Sequence, residues 1–225
     1  MFEKYNESLE YSYVFGAFGT IKLLEDRPSI CLSILIDSSF VTNEAYKKIY
    51  DYSKKYNIPL IVDNKAISRI RDKDNIFVVG VFKKIENNDK KNNKDIVILN
   101  ENDPGKIGTI IRSMQGFEFY NIVLVDCDID IYHYHLVRAT MGSYFIMNIK
   151  KYDSIEKYIE DNNDKTFINI STIGDNIESI NKKENNISFI FSSIPINNNL
   201  IHHCKLDYNI SIENLVNITL FTLYK

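Results

Sequence analysis

Apolar residues in this chain fall into short unbroken runs, each followed by a stretch of helical spacing. The runs at 30–36, 59–62 and 75–85 are of strand length and read as strands buried in a sheet. Between them, Ala45, Tyr46, Ile49, Ser53 and Tyr56 recur with the period of a helix over 42–56, capped by Thr42, while Lys47, Lys48, Lys54 and Lys55 take the other faces. Shorter helices are expected around 20–25, ahead of Pro28, and over 65–71. This alternation predicts a small α/β/α sandwich over the first third of the chain.

Residues 86–95 contain no apolar side chain and have nothing to bury against the entropy of ordering, so they read as a linker. The expected organisation is a first domain over 1–86, a linker over 87–95 and a second domain over 96–225. In the second domain, strands are predicted at 96–99, 121–125, 144–149, 166–171, 187–191 and 207–212, and helices over 132–141, 153–160 and the C-terminal residues. Leu215, Val216, Ile218, Leu220, Phe221, Leu223 and Tyr224 make that last helix apolar nearly all round, so it is expected to be covered on most sides.

The strand at 96–99 runs into Asp103-Pro104-Gly105-Lys106-Ile107-Gly108-Thr109-Ile110-Ile111-Arg112. Asp103 suits a helix N-cap and Pro104 the first helical position. Gly105 and Gly108 leave backbone bare, and Arg112 follows Gly108 on one helical face. Such a face presents a guanidinium beside backbone that a ligand can approach.

Net charge is −3, which argues mildly against nucleic acid, but it is unevenly spread. Residues 1–94 hold 16 Lys and Arg against 13 Asp and Glu, whereas 95–225 hold 11 against 17, so the first part is the better candidate for gripping phosphates. Cys31, Cys127 and Cys204 are odd in number and widely spaced, which argues for reduced thiols and against a disulfide framework or a zinc knuckle. Asp126, Asp128 and Asp130 lack the glycine and closing glutamate of a calcium loop, and consecutive His202, His203 and Cys204 cannot converge on one ion, so no metal is expected. His133 and His135 read as surface residues. No run is long enough to span a membrane and the start lacks a basic end with an apolar core, so a cytoplasmic protein with no membrane association is expected.

The stretch 103–112 resembles the first signature motif of the SpoU/TrmH family of SPOUT RNA ribose methyltransferases, Asp-Pro-x-Asn-x-Gly-x-x-x-Arg after a strand. Arg138-Ala139-Thr140-Met141-Gly142-Ser143 resembles the second motif, Arg-Ala-Ser-x-Gly-Ala, and the region from 187 onward the third. There the family's Gly-x-Glu is replaced by Ser192-Ser193-Ile194, residues 200–204 match a short helix, and the cofactor loop is shortened between Ile212 and Leu215. Asn214 stands where the family has Ser, and Val216 where it has Asn, unless Asn217 slips into that role.

The resemblance implies a ribosomal-protein-like RNA-binding module joined to a SPOUT α/β trefoil-knot domain that forms homodimers. It implies transfer of a methyl group from S-adenosylmethionine to a ribose 2′-hydroxyl of structured RNA, rRNA or tRNA, without a metal. By the same resemblance Arg112 and Asn214 are catalytic candidates. Gly142, Ser192, Ser193, Ile212 and Leu215 are cofactor-binding candidates, and Lys106, Arg112 and Arg138 contact RNA. The alternative is a relative that binds RNA or the ribosome without methylating.

Overall fold

The computed structural model describes residues 2–84, 93–171, 173–180, 184–192, 194–205 and 210–224. In chain order the strands and α-helices are β1 (Tyr11–Phe15), α1 (Ala17–Asp26), β2 (Cys31–Ile36), α2 (Glu44–Lys55), β3 (Leu60–Val62), α3 (Asn64–Ile70), β4 (Val78–Lys83), β5 (Lys94–Leu99), α4 (Pro104–Gly116) and β6 (Asn121–Val125). They continue with α5 (Tyr134–Ala139), β7 (Asn148–Tyr152), α6 (Ile155–Asp161), β8 (Thr166–Ser171), β9 (Asp175–Asn176), β10 (Ile187–Ser192), β11 (Ile201–Lys205) and α7 (Ile212–Tyr224). The chain divides into two compact units, Met1–Ile85 with Asp130–Ile146, and Glu86–Ile129 with Met147–Lys225. Residues 130–146, read from sequence as part of the second domain, thus pack within the first unit.

In the first unit a four-stranded sheet has the order β1-β4-β2-β3, with β4 antiparallel to both neighbours and β3 parallel to β2. Tyr13, Phe15, Leu35, Ile67, Ile70, Val79 and Val81 form its apolar core, against which Tyr134 of α5 packs. Three expectations are corrected here. The strand at β3 is an edge rather than a buried strand, with Ile61 37% and Val62 51% exposed. Helix α2 is capped not by Thr42 but by Asn43, whose side-chain oxygen accepts the Ala45 N–H at 2.9 Å. The strand expected over 144–149 is instead a 3-10 turn, Ser143–Ile146, followed by β7.

The second unit holds a seven-stranded sheet, all parallel, in the order β7-β6-β5-β10-β8-β11-β9. Strands covered on both faces need apolar side chains at every position, which is why β6 is buried from end to end. On one face Val97, Leu99, Val123, Val125 and Ile190 pack against Ile155, Tyr158 and Ile159 of α6. Of the expected linker, residues 87–92 lie outside the described residues, while Lys94 and Asp95 already belong to β5.

Residues 200–204, matched from the motif pattern to a short helix, are corrected to strand β11, laid parallel to β8. The reason is its pairing with the open side of β8, which seats Ile201 in the apolar cluster beneath α6 and buries Cys204, while His202 and Lys205 stay exposed. Of the strand expected over 207–212, residues 207–209 lie outside the described residues and Ile212 opens α7 instead. Val216, Thr219 and Leu220 of α7 are fully buried, whereas Phe221 is 51% exposed.

Candidate functional site

Parallel sheets bind ligands at the carboxyl ends of their strands, where strand-to-helix turns expose backbone. In the second unit these ends converge. Ser192, the last residue of β10, is in register with Leu99, the last of β5. The next residue, Asn100, turns with φ 52°, and Asp126 after β6 turns with φ 50°. Helix α4 starts from the same end, held by the Asp103 carboxylate, which accepts the N–H groups of Gly105 at 2.7 Å and Lys106 at 3.3 Å. Helix α7 packs against both α4 and β10. The second unit therefore gathers Lys106, Arg112, Ser192, Ile212, Asn214 and Leu215 onto neighbouring elements.

Their surroundings differ. Arg112 lies on the open stripe of α4 with Gly105 and Thr109, and is held by no ion pair among the described residues. Lys106, standing where the motif has Asn, is engaged: its ammonium pairs with Glu101 at 2.9 Å. That hydrogen bond raises the lysine's pKa, and the charges of Glu213 and Asp103 add to the effect. The Ser192 hydroxyl accepts the Ile194 N–H at 3.1 Å and so turns the chain at the strand end. Asn214 is exposed, Ile212 and Leu215 are half-buried, and Ser193 lies outside the described residues.

Sequence reasoning passed over Glu213. Among the described residues its Oε2 and the Oδ1 of Asn217 are buried and without a hydrogen-bond partner, and the two residues stand one turn apart on α7. Buried acceptors of this kind are costly and are normally satisfied, so these two call for a donor. The signal in the sequence is a pair of polar residues at helical spacing in a largely apolar helix.

The remaining two candidates belong to the first unit. Arg138 is bound to Asp72 at 3.1 Å, and His135 approaches the same carboxylate at 3.5 Å. Gly142 has φ +88°, and a Cβ there would stand 2.5 Å from Lys22 Cγ, so a close approach and a left-handed backbone both require glycine. His133 is not a plain surface residue: it caps α5 by accepting the His135 N–H at 3.2 Å, and its ring stacks on Tyr134. Burial, then the charge of His135, lowers its pKa. The three cysteines are buried and free, and burial pushes the Cys31 thiol up to about 12. Among the described residues no group of His, Cys, Asp or Glu is arranged to hold a metal ion, and no helix is long and apolar enough to cross a membrane.

The family model of the SpoU rRNA Methylase family matches residues 94–212, more than half of the chain. The chain belongs to the SpoU rRNA methylase family. The matched span runs from the first residue of β5 to the first of α7, and so contains the whole convergence of strand ends described above. Among solved structures, the chain is similar to an rRNA methyltransferase from Sinorhizobium meliloti, with TM-score 0.73 and 19% identity over 95% of this chain and 86% of that one. It is likewise similar to the SpoU methyltransferase AviRb from Streptomyces viridochromogenes, solved in complex with the cofactor AdoMet. There the TM-score is 0.73 and the identity 14%, over 96% of this chain and 90% of that one. At such identities the likeness is one of fold. No curated protein sequence is matched.

Proposed function

We propose that this SpoU-family chain methylates RNA, transferring a methyl group from S-adenosylmethionine to a ribose 2′-hydroxyl of structured rRNA or tRNA. The observation that carries the reading is the pair of orphaned acceptors, Glu213 Oε2 and Asn217 Oδ1, on the helix packed against α4. S-adenosylmethionine presents an ammonium, ribose hydroxyls and an adenine amine, all donors, so the residues present suit it. Ser192, Ile212 and Leu215 would hold it through their backbone, with Glu213 and Asn217 as side-chain acceptors. When bound, it supplies an electrophilic methyl group on a sulfonium.

Arg112 clamps a phosphate beside the reacting ribose with its planar fork of N–H donors, orienting the hydroxyl. Being so weak an acid, its guanidinium orients the substrate and does not abstract the proton. The enzyme works as a homodimer, burying the α7 flank that leaves Phe221 half exposed, with the carboxyl-terminal chain threaded as a trefoil knot.

Calorimetric titration with S-adenosylmethionine tests the cofactor, with micromolar binding expected. The absence of heat at millimolar ligand would sink the enzyme reading in favour of a silent RNA-binding relative. Transfer of labelled methyl into bulk RNA should fall about 10²-fold or more in Arg112→Ala, with thermal stability unchanged because the side chain is exposed. Undiminished transfer in that variant removes Arg112 from the mechanism.

A further inference from the structure

Helix α2 carries a row of side chains that its own packing does not use. The helix is buried through Ile49 and Ser53. On one flank Glu25 of α1 takes Lys48 at 2.7 Å and the Tyr52 hydroxyl at 3.4 Å, so that flank is spoken for by the neighbouring helix. The other flank bears Tyr46, Tyr50 and Lys54 at four-residue spacing, with Lys47 beside them. The rings of Tyr46 and Tyr50 have centroids 6.0 Å apart and planes inclined at 33°. Tyr50 is 41% exposed, and the Lys54 ammonium rests 5.3 Å from its ring centre. Neither Lys47 nor Lys54 forms an ion pair with a carboxylate among the described residues, and α2 has four lysines against Glu44 and Asp51.

We infer that the Tyr46–Tyr50–Lys54 face of α2 binds unpaired nucleotides of the RNA substrate, an inference that rests on the RNA reading above. Exposed aromatic rings interleaved with uncompensated lysines are what single-stranded nucleic acid needs: a π-face for each base and a cation for each phosphate. The arrangement also supplies an exchange. A phosphate draws the Lys54 ammonium off the Tyr50 ring, and the face so vacated receives the adjoining base. An acidic protein would engage the lysines but has no use for the ring ladder. As helix stabilisers alone, tyrosines one turn apart contribute little, which is no reason to leave large rings in water.

The test uses the full chain and a single-stranded RNA of mixed sequence, about 16 nucleotides long and carrying 4-thiouridine, read by fluorescence anisotropy and by photocrosslinking. Tyr50→Ala should weaken binding about tenfold, whereas Tyr50→Phe, which keeps the ring, should bind like the parent. Lys47→Gln should flatten the dependence of affinity on salt by about one ion. Crosslinks should fall within 46–54, and a duplex of the same sequence should be indifferent to Tyr50→Ala. A folded Tyr50→Ala that binds the single strand as tightly as the parent, or crosslinks confined to other elements, overturns this assignment and leaves the methyltransferase reading standing. Failure of the unmutated chain to bind any RNA overturns both.

Discussion

Lys165→Met should be among the most damaging single changes in the second unit. Asp95 at the start of β5 and Lys165 just before β8 form an ion pair at 2.7 Å, with side chains only 4% and 2% exposed. The same carboxylate oxygen accepts the Tyr158 hydroxyl at 2.7 Å, the Tyr158 oxygen lies 2.6 Å from the Ser188 hydroxyl, and the ammonium also donates to the Asn93 carbonyl at 2.8 Å. Removing the ammonium leaves a buried carboxylate with the tyrosine as its partner in this group. Breaking a pair of this kind costs about 3–5 kcal/mol, because the surviving charge keeps its desolvation penalty and loses the attraction that offset it. For a chain of this size the melting temperature should fall by about 10 °C.

The double variant Asp95→Val with Lys165→Met removes both charges and should recover more than half of the loss, since an apolar pair pays no such penalty. Urea denaturation followed by circular dichroism measures all three proteins. A loss below about 1 kcal/mol in Lys165→Met, or a double variant less stable than the single, would refute the reasoning. Because the network lies at the amino ends of the strands, S-adenosylmethionine affinity at low temperature should be unaffected.

Two further outcomes are expected. Gly174 has φ +122°, and a Cβ there would stand 2.2 Å from the His203 carbonyl oxygen, so Gly174→Ala must push backbone of β11 aside. A cost of about 2 kcal/mol or more should appear in thermal melts, and a loss under about 0.5 kcal/mol would contradict it. In the first unit, hydrogen bonds from Lys48 and Lys22 hold the Glu25 carboxyl down to about 2. A depressed carboxyl adds stability that is complete above its unfolded pKa of about 4.3 and fades as pH falls through the folded value. Glu25→Gln should therefore be less stable than the parent at neutral pH, by at most about 1 kcal/mol given solvent screening, with the gap closing near pH 2. A gap that widened on acidification would show the sign to be wrong.

The parallel sheet was legible because strands buried on both faces need continuous apolar runs, and β5, β6 and β10 each contain one. The start of α4 was legible for a different reason, since Asp103 and Pro104 act locally and need no tertiary partner. What could not be read was decided by neighbours. Ile201-His202-His203-Cys204-Lys205 has no period strong enough to choose helix or strand, and the open side of β8 chose strand. The edge position of β3 was hidden likewise, because Leu60-Ile61-Val62 is as apolar as a central strand. Residues 130–146 join the first unit through long-range contacts, including the hydrogen bond from the Tyr5 hydroxyl to Asp130, which no local pattern announces.

The departures from the family motifs read differently once partners are known. Replacing a neutral Asn by Lys106 would place a charge at the head of α4, where the helix dipole already disfavours cations. The Glu101 carboxylate 2.9 Å away cancels that charge, so lysine and glutamate together present the neutral pair that asparagine presents alone. On α7 the shift is one of position. Asn214 is exposed and Val216 is buried in the core, so neither can place a polar group between the helices. Glu213 and Asn217 share a helical face, and each buries an acceptor that has no donor among the described residues. The polar pair thus stands one position outside the motif's on either side, and unlike 214 and 216, which a helix turns to opposite sides, 213 and 217 face the same way.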